Sequence, residues 1–159
     1  MFRKFLILFI LFLPMVSEAV PTSTALVFPV IKPRVSSNYG ARKHPIFKVV
    51  RHHKGVDLAA PKGSYVRAIS EGKVVFADPY AGYGNLVVVQ HKDGITSHYG
   101  HLDTIKAKTG SRIRAGEIIG TVGSTGNSTG PHLHLEIRKN GMPLNPIKVI
   151  PSLTARAQG

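Results

Sequence analysis

Two histidines one residue apart, His132 and His134, sit inside the run GPHLHLEIR (Gly130–Arg138). In a strand, alternate side chains share a face. His132 and His134 then point one way, while Leu133 and Leu135 point into a core. Two imidazoles on one strand face suit a metal or an acid–base pair. A second stretch, HHKGVDLAAP (His52–Pro61), offers His53 and Asp57. With Lys54–Leu58 extended, His53, Gly55 and Asp57 share a face, and Gly55 leaves room between the other two for an ion. Histidine nitrogen and aspartate oxygen are ordinary zinc ligands. His53, Asp57 and one histidine of the HLH pair make three ligands, which leaves a fourth position open for water. With no cysteine in the chain, a closed thiolate site is excluded. The third cluster is SHYGHL (Ser97–Leu102), where His101 is expected just past a strand end at a glycine turn. His44, His52, His91 and His98 read as surface or packing residues.

The elements that must position these groups are short. β-Branched runs set off by glycine occur at Ser64–Ile69, Lys73–Ala77, Leu86–His91, Ile95–Tyr99, Ile118–Val122 and Leu133–Arg138. Lys92-Asp93-Gly94 joins two of them as a tight hairpin. No stretch reads as a helix of convincing length, so the pattern predicts an all-β sandwich or barrel. GSYVRA (Gly63–Ala68) returns as GSRIRA (Gly110–Ala115), which suggests two similar strand-turn-strand halves packed face to face.

The amino terminus reads differently. Arg3 and Lys4 precede an apolar stretch, Phe5–Leu13, that is too short for a bilayer, which takes about 20 residues. Ser17-Glu18-Ala19 closes it as a small-x-small site. Residues 1–19 are therefore expected to be a secretory signal peptide, with an uncleaved anchor as the alternative. Residues 20–25 read as a short leader and 151–159 as a flexible tail. The full chain carries 21 basic and 8 acidic side chains, net +13. Without Arg3, Lys4 and Glu18 the excess is still +12. Such a charge calls for a polyanionic partner. A nucleic-acid-binding barrel would present aromatic stacking residues interleaved with the basic ones. The lack of tryptophan and the expected export argue against it and favour envelope polymers bearing phosphate or carboxylate.

H-x-x-x-D at His53/Asp57, YGHL at Tyr99–Leu102 and GNSTGPHLHLEIR at Gly126–Arg138 together resemble the lysostaphin/LytM-type zinc endopeptidases, which are peptidoglycan hydrolases. The likeness runs from SSNYGARKHP (Ser36–Pro45) to PLNPIKVI (Pro143–Ile150). It implies a peptidase domain over 26–150: a small two-layer antiparallel β-sandwich with a groove over a zinc site. It implies His53, Asp57 and His134 as the ligands of Zn2+, and His101 and His132 as catalytic histidines beside the metal. It further implies peptidoglycan stems and cross-links as substrate, a monomer, no stable membrane insertion after signal cleavage, and a place in the periplasm or cell wall. A non-catalytic envelope factor of the same fold, activating other hydrolases, is the alternative function.

No H-E-x-x-H occurs, so the helix-borne glutamate base of many metalloproteases is missing. His101 and His132 would share the proton work. One as a neutral imidazole takes a proton; one as a cation stabilises an oxyanion or protonates a leaving amine. The division between them is open. Glu136 shares the parity of the HLH pair and either orients one of the two histidines or is an ordinary polar residue further along. GSTGNSTG (Gly123–Gly130) lacks the lysine and helix of a phosphate loop and is expected to wall a groove for small peptides.

Overall fold

A computed structural model of the chain describes residues 26–43, 49–150 and Leu153. The segments expected as signal peptide and leader, and His44, lie outside the described residues.

The described residues run through twelve strands: β1 (Arg34–Ser37), β2 (Gly40–Lys43), β3 (Val50–His53), β4 (Val56–Ala59), β5 (Tyr65–Arg67), β6 (Gly72–Pro79), β7 (Asn85–Gln90), β8 (Ile95–Ile105), β9 (Arg112–Ile113), β10 (Ile118–Val122), β11 (His132–Lys139) and β12 (Met142–Leu144). One four-residue helix, α1 (Pro146–Val149), follows; Asn145 caps it by accepting from the Ile147 N–H at 3.0 Å. Among the described residues every strand pair is antiparallel, as the resemblance implied. Ten strands form one sheet in the order β1-β4-β11-β8-β7-β6-β9, with β12 on β11 and β5 joined through β10 to β8; β2 and β3 pair separately. Among the described strands β8 is the pivot. It pairs with β7 and β11 along most of its length and with β10 at its end.

The apolar residues that face inward along these strands make one core. Val56, Leu58, Val66, Val74, Val87, Val89, Leu102, Ile119, Leu133, Leu135 and Ile137 are fully buried. Tyr99 is buried among them, its hydroxyl held by the Ile69 N–H and the Ser97 hydroxyl, both at 2.9 Å. Burial pushes that phenol up to about 12. Leu153, in the segment expected to have little to bury, is also fully covered.

The two similar hexapeptides make the same turn. Gly63 and Gly110 both take positive φ (86° and 90°), and the hydroxyls of Ser64 and Ser111 donate to the carbonyls three residues back. The strands that follow pair with different partners, β5 with β10 and β9 with β6, in one continuous sheet. The likeness lies in the local turns.

Gly55 has another reason than the one its spacing suggested. It lies in a bend between β3 and β4, not in a strand from Lys54 to Leu58. A Cβ there would overlap the Leu135 carbonyl and the Glu136 side chain, rather than the space between His53 and Asp57. The glycine lets the bend press on β11. Gly55→Ala is expected to cost about 1–3 kcal/mol, because the obstruction includes backbone and not only a flexible side chain. Thermal unfolding should show the midpoint lowered by several degrees.

Candidate metal and catalytic site

Strand register assembles the first part of the site. β11 lies against β4 with His134 opposite Asp57, Leu133 opposite Leu58 and Leu135 opposite Val56. The leucines and valine drop into the core, and this leaves His134 and Asp57 side by side on the other face. His53 ends β3 and is returned to the same spot by the bend at Lys54–Gly55. Its Nε2 lies 3.1 Å from Asp57 Oδ1 and 3.1 Å from His134 Nδ1, and the latter lies 2.8 Å from Asp57 Oδ1. All three residues are buried.

The outer hydrogen bonds of the two rings decide what these atoms offer each other. His53 donates its Nδ1–H to the Asn38 carbonyl at 2.8 Å, so Nε2 carries a lone pair. His134 donates its Nε2–H to Glu136 Oε1 at 3.0 Å, so in the neutral ring, the form that binds a metal, Nδ1 carries a lone pair. Three acceptors thus converge, and they are close enough to share one ion at bonds of about 2.0–2.2 Å. Such a triangle demands positive charge at its centre. Burial would lower the pKa of His134, but its hydrogen bonds to Asp57 and Glu136 outweigh this and raise it to about 9. Burial likewise would raise Asp57, yet the two imidazoles hold its carboxyl far below the usual carboxylate range. The same pull that favours a proton favours a metal cation, and a nitrogen–nitrogen–oxygen donor set without thiolate fits zinc. His53, Asp57 and His134 are the residues that can hold it.

His101 and His132 stand beside this triangle. The His132 Nδ1–H donates to the Gly130 carbonyl at 2.8 Å, and its Nε2 lies 3.7 Å from Asp57 Oδ1. The His101 Nδ1–H donates to the Thr125 carbonyl at 2.7 Å. Their ring centroids are 4.7 Å apart, and that of His101 is 5.7 Å from His134. Both therefore keep a free Nε2 lone pair. Burial lowers the pKa of His101 to about 4, the Thr125 carbonyl opposing this only in part, so it is neutral at pH 7.

His101 was expected beyond a strand end, but β8 runs straight through it. The strand bulges there. Between the pairs Val87–Tyr99 and Asn85–Leu102, β8 carries one residue more than β7. His101 takes φ 61°, a conformation that costs a non-glycine residue about 1–3 kcal/mol. The bulge redirects its side chain. Neighbours stabilise the distortion: Asn85 Nδ2–H donates to the carbonyls of Leu102 and Asp103, and Thr125 Oγ1–H to Leu102. GSTGNSTG supplies the carbonyls that orient both histidines. It can approach the loop before β7 because Gly126 has no Cβ; one would overlap the backbone of Gly82 and Gly84.

Glu136 is the orienting partner of His134 and is almost fully buried. Its Oε1 also accepts the Tyr83 hydroxyl at 2.7 Å, and its Oε2 accepts from Arg138 Nε at 2.7 Å and from Arg138 Nη2. Burial would raise this carboxyl, but the bonds from His134, Tyr83 and Arg138 bring it down to about 2. Sequence reasoning missed Tyr83, which lies outside all three motifs. Arg138 was missed as well, although its place two residues after Glu136 puts it at the same strand parity. The remaining described histidines lie apart from the triangle. His91 is packed, its Nδ1–H donating to the Glu71 carbonyl at 2.6 Å and its Nε2 2.8 Å from the Ser97 hydroxyl. His98 faces Thr96, and His52 is exposed against Tyr39.

Residues 51–146 match the sequence profile of Peptidase family M23. DD-carboxypeptidase/endopeptidase Mpg of Neisseria meningitidis is 48% identical over 121 residues, which cover 76% of this chain and 28% of that protein. Murein hydrolase activator NlpD of Salmonella typhimurium is 38% identical over 119 residues, 74% of this chain and 29% of its own length. The chain thus spans little more than a quarter of these relatives. Among solved structures, the catalytic domain of the antimicrobial peptidase lysostaphin from Staphylococcus simulans superposes with a TM-score of 0.67 at 35% identity, covering 77% of this chain and 92% of that one. A zinc-containing peptidase from Vibrio cholerae gives 0.70 at 35% identity, covering 76% and 39%. With these likenesses added to the antiparallel fold and the buried histidine–aspartate–histidine triangle, the chain belongs to peptidase family M23.

Proposed function

We propose that the protein is a zinc-dependent endopeptidase, exported from the cytoplasm, that hydrolyses peptide cross-links of peptidoglycan. One observation carries this reading: three buried lone pairs converge on a cation site flanked by two imidazoles, each with Nδ1–H engaged by a carbonyl and Nε2 free. Held by His53, Asp57 and His134, zinc supplies a Lewis acid that acidifies water and polarises a carbonyl. His132, its Nε2 3.7 Å from Asp57 Oδ1, and His101, neutral because it is buried, are placed to accept a proton, to return it to a leaving amine and to stabilise an oxyanion. Glu136, itself clamped by Tyr83 and Arg138, keeps the His134 lone pair aimed at the site. The relative named a DD-carboxypeptidase/endopeptidase supports a D-alanyl–diaminopimelate bond over glycyl–glycine.

The second reading is a non-catalytic activator, which the name of the NlpD relative keeps in view. The complete set of His53, Asp57, His101, His132 and His134 favours the enzyme, because activation alone needs no such constellation. Among the described residues no helix is long and apolar enough to cross a membrane. Export rests on the apolar stretch Phe5–Leu13 and the Ser-Glu-Ala site.

The test is digestion of purified peptidoglycan from bacteria with direct and with glycine-bridged cross-links, read by mass spectrometry. Release of uncross-linked stems from the directly linked material, abolished by a chelator and restored by zinc, is expected. Intact cross-links in both would sink the enzymatic reading. On the same exported protein, amino-terminal sequencing should begin at Val20; retention of Met1 would mean an anchor.

A further inference from the structure

Arg112 of β9 lies directly opposite Lys73 of β6, and Lys73 lies opposite Gln90 of β7. Like charges facing each other across a ladder are destabilising. Nothing local relieves the conflict. Among the described residues, no carboxylate lies within ion-pair distance of Lys73, Arg112 or Arg114. The two acids nearby are engaged elsewhere: Glu71 pairs with Lys92 at 3.6 Å, and Glu117 Oε2 accepts from the backbone N–H of Arg114 at 3.0 Å. These residues line an open cavity of about 850 Å³. The turn does not require Arg112, because its twin, the turn at Gly63–Ser64, carries Tyr65 at that position and keeps an arginine, Arg67, only where this one has Arg114. The cavity sits at the Gln90 end of β7, and Asn85, beside the His101 bulge, is at the other end. Five residues of strand put about 17 Å between them.

We propose that Lys73, Arg112 and Arg114 form an anion-binding site, separate from the hydrolytic centre, that takes carboxylates of the peptidoglycan stem peptides and holds the protein on the wall while the histidine site cuts a cross-link elsewhere. This rests on the proposed substrate. That polymer repeats free carboxylates, so a weak contact at a second place adds avidity without any change in the chemistry. Arg112 also sits on the edge strand β9, where a basic residue can serve to block strand addition. The experiment separates the two roles.

Binding is measured by co-sedimentation with sacculi stripped of phosphate polymers, at low salt, with chelator present to stop cleavage. Three exposed contacts together support an expected loss of about tenfold in affinity for Lys73→Gln/Arg112→Gln/Arg114→Gln. The same loss is expected for wild type on sacculi whose carboxylates have been amidated. A control with the same change in net charge, Lys32→Gln/Lys139→Gln/Lys148→Gln, should bind nearly as wild type. Zinc-loaded triple variant should cut a soluble cross-linked peptide at the wild-type rate but sacculi more slowly. Equal loss in both triples, unaltered binding, or binding regained only when phosphate polymers are left on the wall would overturn the site. So would self-association of the variant with wall binding intact, which would assign the charges to edge protection. Failure of wild type to cut the soluble peptide would instead strike the proposed activity, and the binding measurement would still decide the site.

Discussion

His134→Ala protein is expected to contain almost no zinc and to lose peptidoglycan cleavage. The residue contributes one of three donor atoms packed within 3.1 Å of each other, and its loss leaves only His53 and Asp57. The Lewis-acid contribution is worth several kcal/mol, so turnover should fall by about a thousandfold or more. Elemental analysis and wall-peptide cleavage on the same sample check both parts. Since Glu136 loses a partner in that variant, Asp57→Asn serves as the companion. It keeps the size of the side chain and removes the charge, so a folded protein with depressed zinc content is again expected. Near-full zinc in both variants would refute the ligand assignment.

His101→Ala and His132→Ala should behave in the opposite way, retaining zinc and losing rate. Each ring is anchored by a loop carbonyl and keeps Nε2 free next to the triangle without completing it. A group that handles a proton in the transition state contributes about 100- to 10,000-fold. The loss should fall mainly on kcat, since the peptide still binds. Zinc content separates this outcome from a ligand role. If His132→Ala loses zinc while His134→Ala keeps it, the two members of HLH exchange roles. Near-normal turnover in either variant would remove that histidine from catalysis.

The chemistry was legible in the sequence because strand parity is local. His132 and His134 alternate with Leu133 and Leu135, and a strand has only two faces, so the alternation alone puts the imidazoles together and away from the core. Asp93-Gly94 predicted its hairpin for a similar reason: both residues take positive φ, which that pair tolerates well. Asn140-Gly141 does the same between β11 and β12 and carried an equal signal that went unused.

What the residue pattern could not contain was register between distant strands. Asp57 meets His134 only because β4 pairs with β11 at that offset, across a sequence separation of 77, and the offset is chosen by the burial of Val56, Leu58, Leu133 and Leu135 together. Gly55 looked like space for an ion, but it is a close approach of a bend to β11, which exists only once both are packed. His101 looked like a residue after a strand, but it is the extra residue of a bulge, held at φ 61° by Asn85 and Thr125 from two other parts of the chain. Tyr83 reaches Glu136 from a loop outside every motif. Residue types and their spacing along single strands determined which chemistry this protein can do. Which lone pairs face one another, and which nitrogen of each ring is free, was decided by the tertiary structure, because those depend on hydrogen bonds to Asn38, Glu136, Thr125 and Gly130 that only the packed sheet and its loops bring within reach.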